Sequence, residues 1–444
     1  MTSPHILLVN PWIHDFAAFD FWARPLGLLY LAAFLRRWGF TVSYVDCLDR
    51  FHPRAPAADP HARFGRGPYL KTPIARPAGL AHVPRTYSRY GIRRQWLMED
   101  LASLPVPDLI LVTSMMTYWY PGVQETIACL RKRFPGVPLV LGGVYATLCH
   151  THARAHSGAD QVVTGAAEKR IFEIVAAATG YRRSAALDTE DLDRYPFPAL
   201  DLQRRIPFVP LLTTRGCPFS CPYCASAILQ PKMRRRNKES VLAELHYWYQ
   251  DFGVRDFVFY DDALLVDAVR HALPLFEAIA QSDLKLRFHT PNAVHVREIS
   301  LPVAKLMRRI GFETLRLGVE TADFGSSMRL DHKLSREDFF RTVGHLKSVG
   351  FSKQQVGAYL LAGLPGQSWQ EVARSIESVR SGGITPVIAH YTPIPHTALW
   401  EQARRSSRYD LDADPVFTNN AISPCRHEEF SWKELSKLKL LAAR

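Results

Sequence analysis

Cys217, Cys221 and Cys224 are separated by three and then two residues, within Leu211-Leu-Thr-Thr-Arg-Gly-Cys217-Pro-Phe-Ser-Cys221-Pro-Tyr-Cys224, directly after a short apolar run that reads as a buried strand. Soft thiolates this close together suit zinc or an iron–sulfur cluster better than a hard cation. A structural zinc site closes with four protein ligands, and an ordinary cubane takes four cysteines. No fourth cysteine lies nearby, since Cys47, Cys129, Cys149 and Cys425 are scattered. Three ligands would leave one iron of a 4Fe-4S cluster open, where a small chelating molecule can bind and react. Two plainer readings stay open at this point: three buried thiols, or an incomplete zinc knuckle.

The chain of 444 residues has room for two or three domains, and its 47% hydrophobic and 22% charged residues are those of a soluble globular protein. Seven cysteines, an odd number, argue against a disulfide framework and for a reducing cytoplasm. The first apolar run, His5–Asn10, has no basic segment before it, so no signal peptide is expected, and no run reaches membrane-spanning length. The net charge of +13 is uneven: Phe51 to Trp96 holds nine Lys or Arg against Asp59 alone, and Lys232-Met-Arg-Arg-Arg-Asn-Lys238 follows the cysteines. Such surfaces attract nucleic acid, and RNA is therefore one candidate partner. A solvated basic face is the plainer reading, because no RNA-binding module accompanies Tyr69, Tyr87 and Tyr90.

Strand and helix patterns alternate from the start. His5–Asn10, Thr41–Asp46, Asp108–Ser114, Val137–Gly143 and Gln161–Thr164 read as strands, with helices over Pro25–Gly39 and Gly122–Phe134. The pattern predicts an α/β, doubly wound Rossmann-like domain over residues 1–180, with a basic Pro/Arg-rich insertion at 51–96 and ligands at the carboxyl ends of the strands. Residues 181–208 read as a linker. Six further strands follow within 209–400: Val209–Thr214, Asp256–Tyr260, Lys285–Thr290, Thr314–Gly318, Gln355–Leu361 and Pro386–Tyr391. Residues 401–444 read as a C-terminal cap with a helix over Trp432–Arg444, where Cys425 is more simply a packed or exposed thiol than a ligand or radical partner.

Cys-x3-Cys-x2-Cys after a strand, with this order of elements, resembles the radical S-adenosylmethionine (SAM) superfamily over most of Pro207–Trp400. The resemblance implies a partial (β/α)6 barrel related to the TIM barrel, with its chemistry at strand carboxyl ends. It implies that Cys217, Cys221 and Cys224 hold a 4Fe-4S cluster whose open iron is chelated by the amine and carboxylate of SAM. An electron, from a reductant such as flavodoxin or ferredoxin, then cleaves SAM to a 5′-deoxyadenosyl radical that takes hydrogen from substrate. By the same resemblance, Asp262, in Asp261-Asp262-Ala-Leu-Leu, falls where the family's Gly-Gly-Glu motif has the Glu that holds the SAM amine; helix capping is the plain reading for both acids. Tyr223, Arg236, Glu320 in Gly318-Val-Glu-Thr321, Gly363 and Gly366 are the other SAM-contact candidates. Asn292 and His396 are substrate-facing candidates, His396 standing where relatives have the Gly of Pro-Gly-Thr.

The loops Asn10-Pro-Trp-Ile-His-Asp-Phe16, Thr113-Ser-Met-Met-Thr-Tyr-Trp-Tyr-Pro-Gly122 and Gly142-Gly-Val-Tyr-Ala-Thr147 resemble those of the cobalamin-binding domain that precedes many radical SAM domains. Ser114, Gly142, Gly143 and Tyr145 are then the cobalamin-site candidates. The Asp-x-His-x-x-Gly motif is absent, which excludes only ligation of cobalt through that histidine. In the competing reading Trp12, Trp22, Trp119 and Tyr145 fill the crevice themselves. The expected function is cobalamin-dependent methyl transfer to an unactivated carbon of a small molecule in the cytoplasm. The alternatives are a cobalamin-independent C–H modification or rearrangement, an RNA-modifying enzyme, and a non-catalytic iron–sulfur protein.

Overall fold

The computed structural model describes residues 3–183, 188–324, 334–426 and 430–443. They form two compact units: residues up to Pro207 with Asp414–Ala421, and Phe208–Ala413 with the chain from Ile422 onward.

The first unit is built on a parallel sheet of β1 (His5–Asn10), β2 (Thr41–Asp46), β3 (Leu109–Val112), β4 (Leu139–Leu141) and β5 (Gln161–Val162), in spatial order β2-β1-β3-β4-β5. Strands covered on both faces read as continuous apolar runs, and β3 and β4 are buried at every position. The order reverses between β1 and β3, which makes their carboxyl ends the ligand-binding position of such a sheet. The helix expected from Gly122 begins earlier, at Tyr120, because Pro121 lies in the first turn, where no intrahelical N–H is required.

The basic insertion is a folded part of this unit. Lys71–Pro73 and Ser88–Tyr90 form a three-stranded antiparallel sheet with Ile13–Asp15, over buried Tyr69, Leu80, Val83, Tyr87 and Tyr90. Arg89 pairs with Glu125, and Arg54 with Glu99. The expected linker also packs here, apart from 184–187, which lie outside the described residues: Tyr195 meets the edges of Tyr30 and Phe34, and Ala199 joins the core around Leu28, Ala32 and Leu35. Its prolines mark irregular backbone, not a detached tether.

The second unit carries β6 (Val209–Leu211), β7 (Asp256–Phe259), β8 (Arg287–His289), β9 (Phe312–Glu320), β10 (Val356–Ala362) and β11 (Thr385–His390), all parallel and in sequential order. With the short strand Val294–His295, which also pairs parallel with β9, they make a seven-stranded sheet, an open barrel of six strand–helix repeats. Helices over Lys238–Gln250, Leu301–Arg309, Arg336–Ser348 and Trp369–Ser381 start at Asn237, Ser300, Ser335 and Ser368, whose side chains each accept a first-turn N–H. Phe257, Phe259, Phe288 and Phe312 stack with Phe276 on the helix side of the sheet. On β9 and β10 the opposite positions, Arg316, Gly318, Glu320, Tyr359 and Leu361, are part-exposed between buried neighbours, so the lumen is open to solvent. The tail expected to be one cap divides: Asp414–Ala421 joins the first unit, while the final helix, Trp432–Ala443, packs in the second against Trp369–Ser381 and β11. Residue 444, assigned to that helix from sequence, lies outside the described residues.

Candidate active site

The cysteine loop is anchored at both ends. Asp261 Oδ1 accepts from the Thr213 N–H (3.0 Å), the Thr213 hydroxyl (2.6 Å), the Thr214 hydroxyl (2.8 Å) and the Thr214 N–H, pinning the chain just after β6. Thr214–Arg215 then pairs antiparallel with Arg234–Arg235, closing the loop as a ribbon. Gly216 sits at φ +84°, where a Cβ would meet the Lys232 carbonyl at 2.6 Å, so only glycine fits this turn.

Within the loop the three thiols are part-exposed. The Cys224 N–H donates to the Cys221 carbonyl at 3.0 Å, and Ser226 lies against Cys224 Sγ with its N at 3.4 Å and its Oγ at 3.2 Å. Asp262 hydrogen-bonds the same Ser226, and its carboxyl is raised by burial. Burial raises the Cys217 thiol too, with Asp262, Cys221 and Cys224 adding to the rise as nearby negative charges. Tyr223, in the motif, hydrogen-bonds both Cys221 and Glu320, and burial followed by the Glu320 charge pushes its phenol well above the usual range. The loop thus brings together Cys217, Cys221, Cys224, Tyr223, Asp262 and Glu320. Among the described residues no three His, Cys, Asp or Glu side chains converge on a single ion. Three part-exposed thiols on one loop are the soft donor set that an iron–sulfur cluster takes.

Other candidates are placed differently. Arg236 is buried against Glu244, with further bonds to Ser240 and the Leu212 carbonyl, and so braces the loop. Asp261 is the anchor described above, not a group facing the thiols. Gly363 (φ +89°) and Gly366 (φ +75°) form the turn after β10, but the Gly363 N–H already donates to Gln367 Oε1 at 2.9 Å. Asn292 is exposed and ties the Tyr260 carbonyl at 2.8 Å, linking the ends of β7 and β8. His396 is exposed at φ +69°, keeping the left-handed turn that glycine would make there. Ser226 is a polar residue just beyond the cysteine motif, and nothing in its spacing singles it out from the sequence.

In the first unit the cobalamin-site candidates meet one another. Ser114 Oγ donates to the Gly142 carbonyl at 2.6 Å, and the Val144 N–H donates to the Ser114 carbonyl at 2.7 Å. Gly143, at φ +99°, would place a Cβ 2.2 Å from the Ser114 carbonyl oxygen, so its lack of a side chain serves this packing. Gly142 has an open side, its nearest atom being the Val163 carbonyl oxygen at 3.9 Å from a Cβ position. Tyr145 is fully buried, stacked on Tyr120 at 5.6 Å, its hydroxyl 2.7 Å from His152 Nδ1. The tryptophans are bonded: Trp12 to the Ile92 carbonyl, Trp22 to the Phe64 carbonyl, and Trp119 to Asp15 at 2.6 Å. Asn419 donates to the same Asp15 at 2.8 Å, and burial raises that carboxyl despite both donors.

This arrangement of anchored cysteine loop and strand-end acids defines a class, and the comparison with known proteins agrees: residues 211–379 match the radical SAM superfamily, so the second unit carries a radical SAM domain. Its relatives are more particular. It is 25% identical over 345 residues to an uncharacterized methyltransferase of Pyrococcus horikoshii, covering 70% of this chain and 73% of that one. It is 22% identical to the cytidylyl-2-hydroxyethylphosphonate methyltransferase of Streptomyces wedmorensis, covering 86% and 78%. In fold it is similar to the radical SAM methyltransferase TsrM from Kitasatospora setae, solved with cobalamin and a 4Fe-4S cluster bound: TM-score 0.69, 16% identity, 99% of this chain and 91% of that one. Among the described residues no helix is long and apolar enough to cross a membrane.

Proposed function

We propose that this protein is a cobalamin-dependent radical SAM methyltransferase acting on an unactivated carbon of a small molecule in the cytoplasm. The observation that carries the reading is the gathering of Cys217, Cys221, Cys224, Asp262, Tyr223 and Glu320 at the strand ends of a radical SAM domain, in a chain that also carries a doubly wound unit. The fold shared with TsrM across both units supports it. When bound, the cluster and SAM supply a 5′-deoxyadenosyl radical, and cobalamin supplies the methyl group.

The residues of the chain bind and orient. Cys217, Cys221 and Cys224 would hold the cluster, and Ser226 steadies Cys224. Asp262 and Glu320 would take the amine and ribose or amino-acid end of SAM, a carboxylate being the natural acceptor for an ammonium in a sheltered site. Tyr223 orients Glu320. The open side of Gly142, at the carboxyl end of β4, would admit cobalamin beside Ser114, which follows β3 at the point where the sheet order reverses. A flavodoxin or ferredoxin would deliver the electron.

A second reading, a cobalamin-independent radical SAM enzyme, draws on the packing of Trp12, Trp119 and Tyr145 within the first unit. Iron and corrinoid analysis of the anaerobically purified, cluster-reconstituted protein after incubation with hydroxocobalamin decides between them. About four irons and one cobalt per chain are expected. The same iron without retained cobalt would select the second reading.

A further inference from the structure

Inside the barrel, β9 carries an arginine with no carboxylate to answer it. Arg316 is part-exposed on the face of β9 opposite the fully buried Leu315 and Leu317, which face the helices. Its register partner on β10 is Gly357, where a Cβ would come within 2.9 Å of Val387 Cγ2 and 3.2 Å of Arg316 Cδ and Nη1, so the glycine leaves room for both side chains. Arg316 Nη1 donates to the carbonyls of Leu315 (3.0 Å) and Gln355 (3.5 Å). The Tyr359 hydroxyl donates to the Pro291 carbonyl at 2.9 Å and hydrogen-bonds Arg316. Arg316 Nε has no partner, and among the described residues no acid forms an ion pair with this side chain. Arg287, at the start of β8, differs: it is held by Asp256, with Nε at 2.9 Å from Oδ1.

A sheltered guanidinium without a counter-ion is costly, and burial indeed pulls the Arg316 pKa below its ordinary value. Its Nε is buried and unbonded, a guanidinium donor left for a bound oxyanion to satisfy. Glu320 lies four residues further along the same strand, roughly 13 Å toward the mouth at strand spacing. Arg316 therefore sits too deep to share the SAM-contact position expected of Glu320.

We infer that the substrate carries an anionic group, a carboxylate or a phosphate-like oxyanion, which Arg316 and Tyr359 receive at depth in the lumen. This rests on the reading of the barrel lumen as the substrate chamber of the methyltransferase.

The test uses the full-length, cluster-reconstituted protein and two probes, acetate and methylphosphonate, each compared with chloride at constant ionic strength in thermal unfolding. One of the probes is expected to raise the wild-type midpoint by about 2 °C or more, and the choice between them names the oxyanion class. Arg316→Met is expected to lose that rise while melting no lower than wild type in chloride, because it removes an uncompensated charge. Tyr359→Phe, which keeps the charge, is expected to retain part of the rise. If neither probe shifts the wild type, or Arg316→Met shifts as much as wild type, Arg316 is a structural strut and the inference fails. Should Arg316→Met not fold, Arg316→Lys decides, since it keeps the charge but loses the fork: a clearly weaker rise supports the inference, and an equal one overturns it. Iron and cobalt contents of the same preparations report separately on the cofactor reading.

Discussion

Glu320 and Tyr223 are hydrogen-bonded to each other, and the Tyr223 hydroxyl also meets Cys221. Glu320 holds this position at φ +61°, a backbone conformation that a residue with a Cβ rarely adopts, at the very end of β9. A carboxylate on a barrel strand is thereby tied to the cysteine loop through one phenol.

Replacing that phenol separates its two connections. Tyr223→Phe is expected to leave about four irons per chain, because the thiols are untouched, and to weaken SAM binding by about 2- to 10-fold through loss of one hydrogen bond. Equilibrium dialysis against labelled SAM measures it. Unchanged affinity would mean that Glu320 is oriented by something other than Tyr223.

Asp261 gives the second unit a pH signature. Burial raises its carboxyl from 3.8 to about 6, against the opposing hydrogen bonds from Thr213 and Thr214. Between those values the folded chain keeps a proton that the unfolded chain has released. The contribution of this group to stability is thus full below about pH 4 and falls away as pH rises through about 6. Asp261→Asn cannot titrate yet keeps an acceptor for the threonines, so its melting temperature relative to wild type should rise between pH 4 and pH 6. A relative fall over that range contradicts the assignment.

Gly143 offers a steric test of the first unit. Gly143→Ala places a Cβ 2.2 Å from the Ser114 carbonyl oxygen at a φ of +99°, so backbone must move. A loss of about 2 kcal/mol or more is expected in urea unfolding followed by tryptophan fluorescence. Gly142→Ala, with open space beside it, should cost much less.

Asn419 is fully buried; it donates to Asp15 and accepts from the Ala421 N–H at 2.7 Å. Asn419→Ala is expected to cost about 1–3 kcal/mol by leaving Asp15 short of a donor. Burial already raises Asp15, so losing a donor raises it further, and the variant should lose stability relative to wild type as pH rises. Urea midpoints at pH 5 and pH 7 measure both effects.

Much of this was legible in the residues themselves. Eleven strands were read from apolar runs, and the cysteine spacing located the loop, because strand burial and thiol chemistry are local properties. Boundaries moved where a strand's pattern is mixed: β9 runs back to Phe312, buried against the helices, and on to Glu320, a part-exposed acid that an apolar run does not include. Arg236 shows the other limit, as a basic residue near a cluster motif reads like a ligand-binding group until Glu244, on the following helix, is seen to hold it. Arg316 went unread for a related reason: its meaning depends on Gly357 and Tyr359, some forty residues on and joined to it only by strand register.

The first unit leaves off at Pro207 and is completed by Asp414–Ala421. During synthesis its sheet emerges early, yet the residue that satisfies Asp15 is still more than two hundred codons away. At 5–20 residues per second the ribosome needs on the order of 10–40 s to supply it. Until then the nascent first unit stands unfinished while the entire barrel is translated, so the last buried partner of this domain arrives only when the barrel strands have all been made.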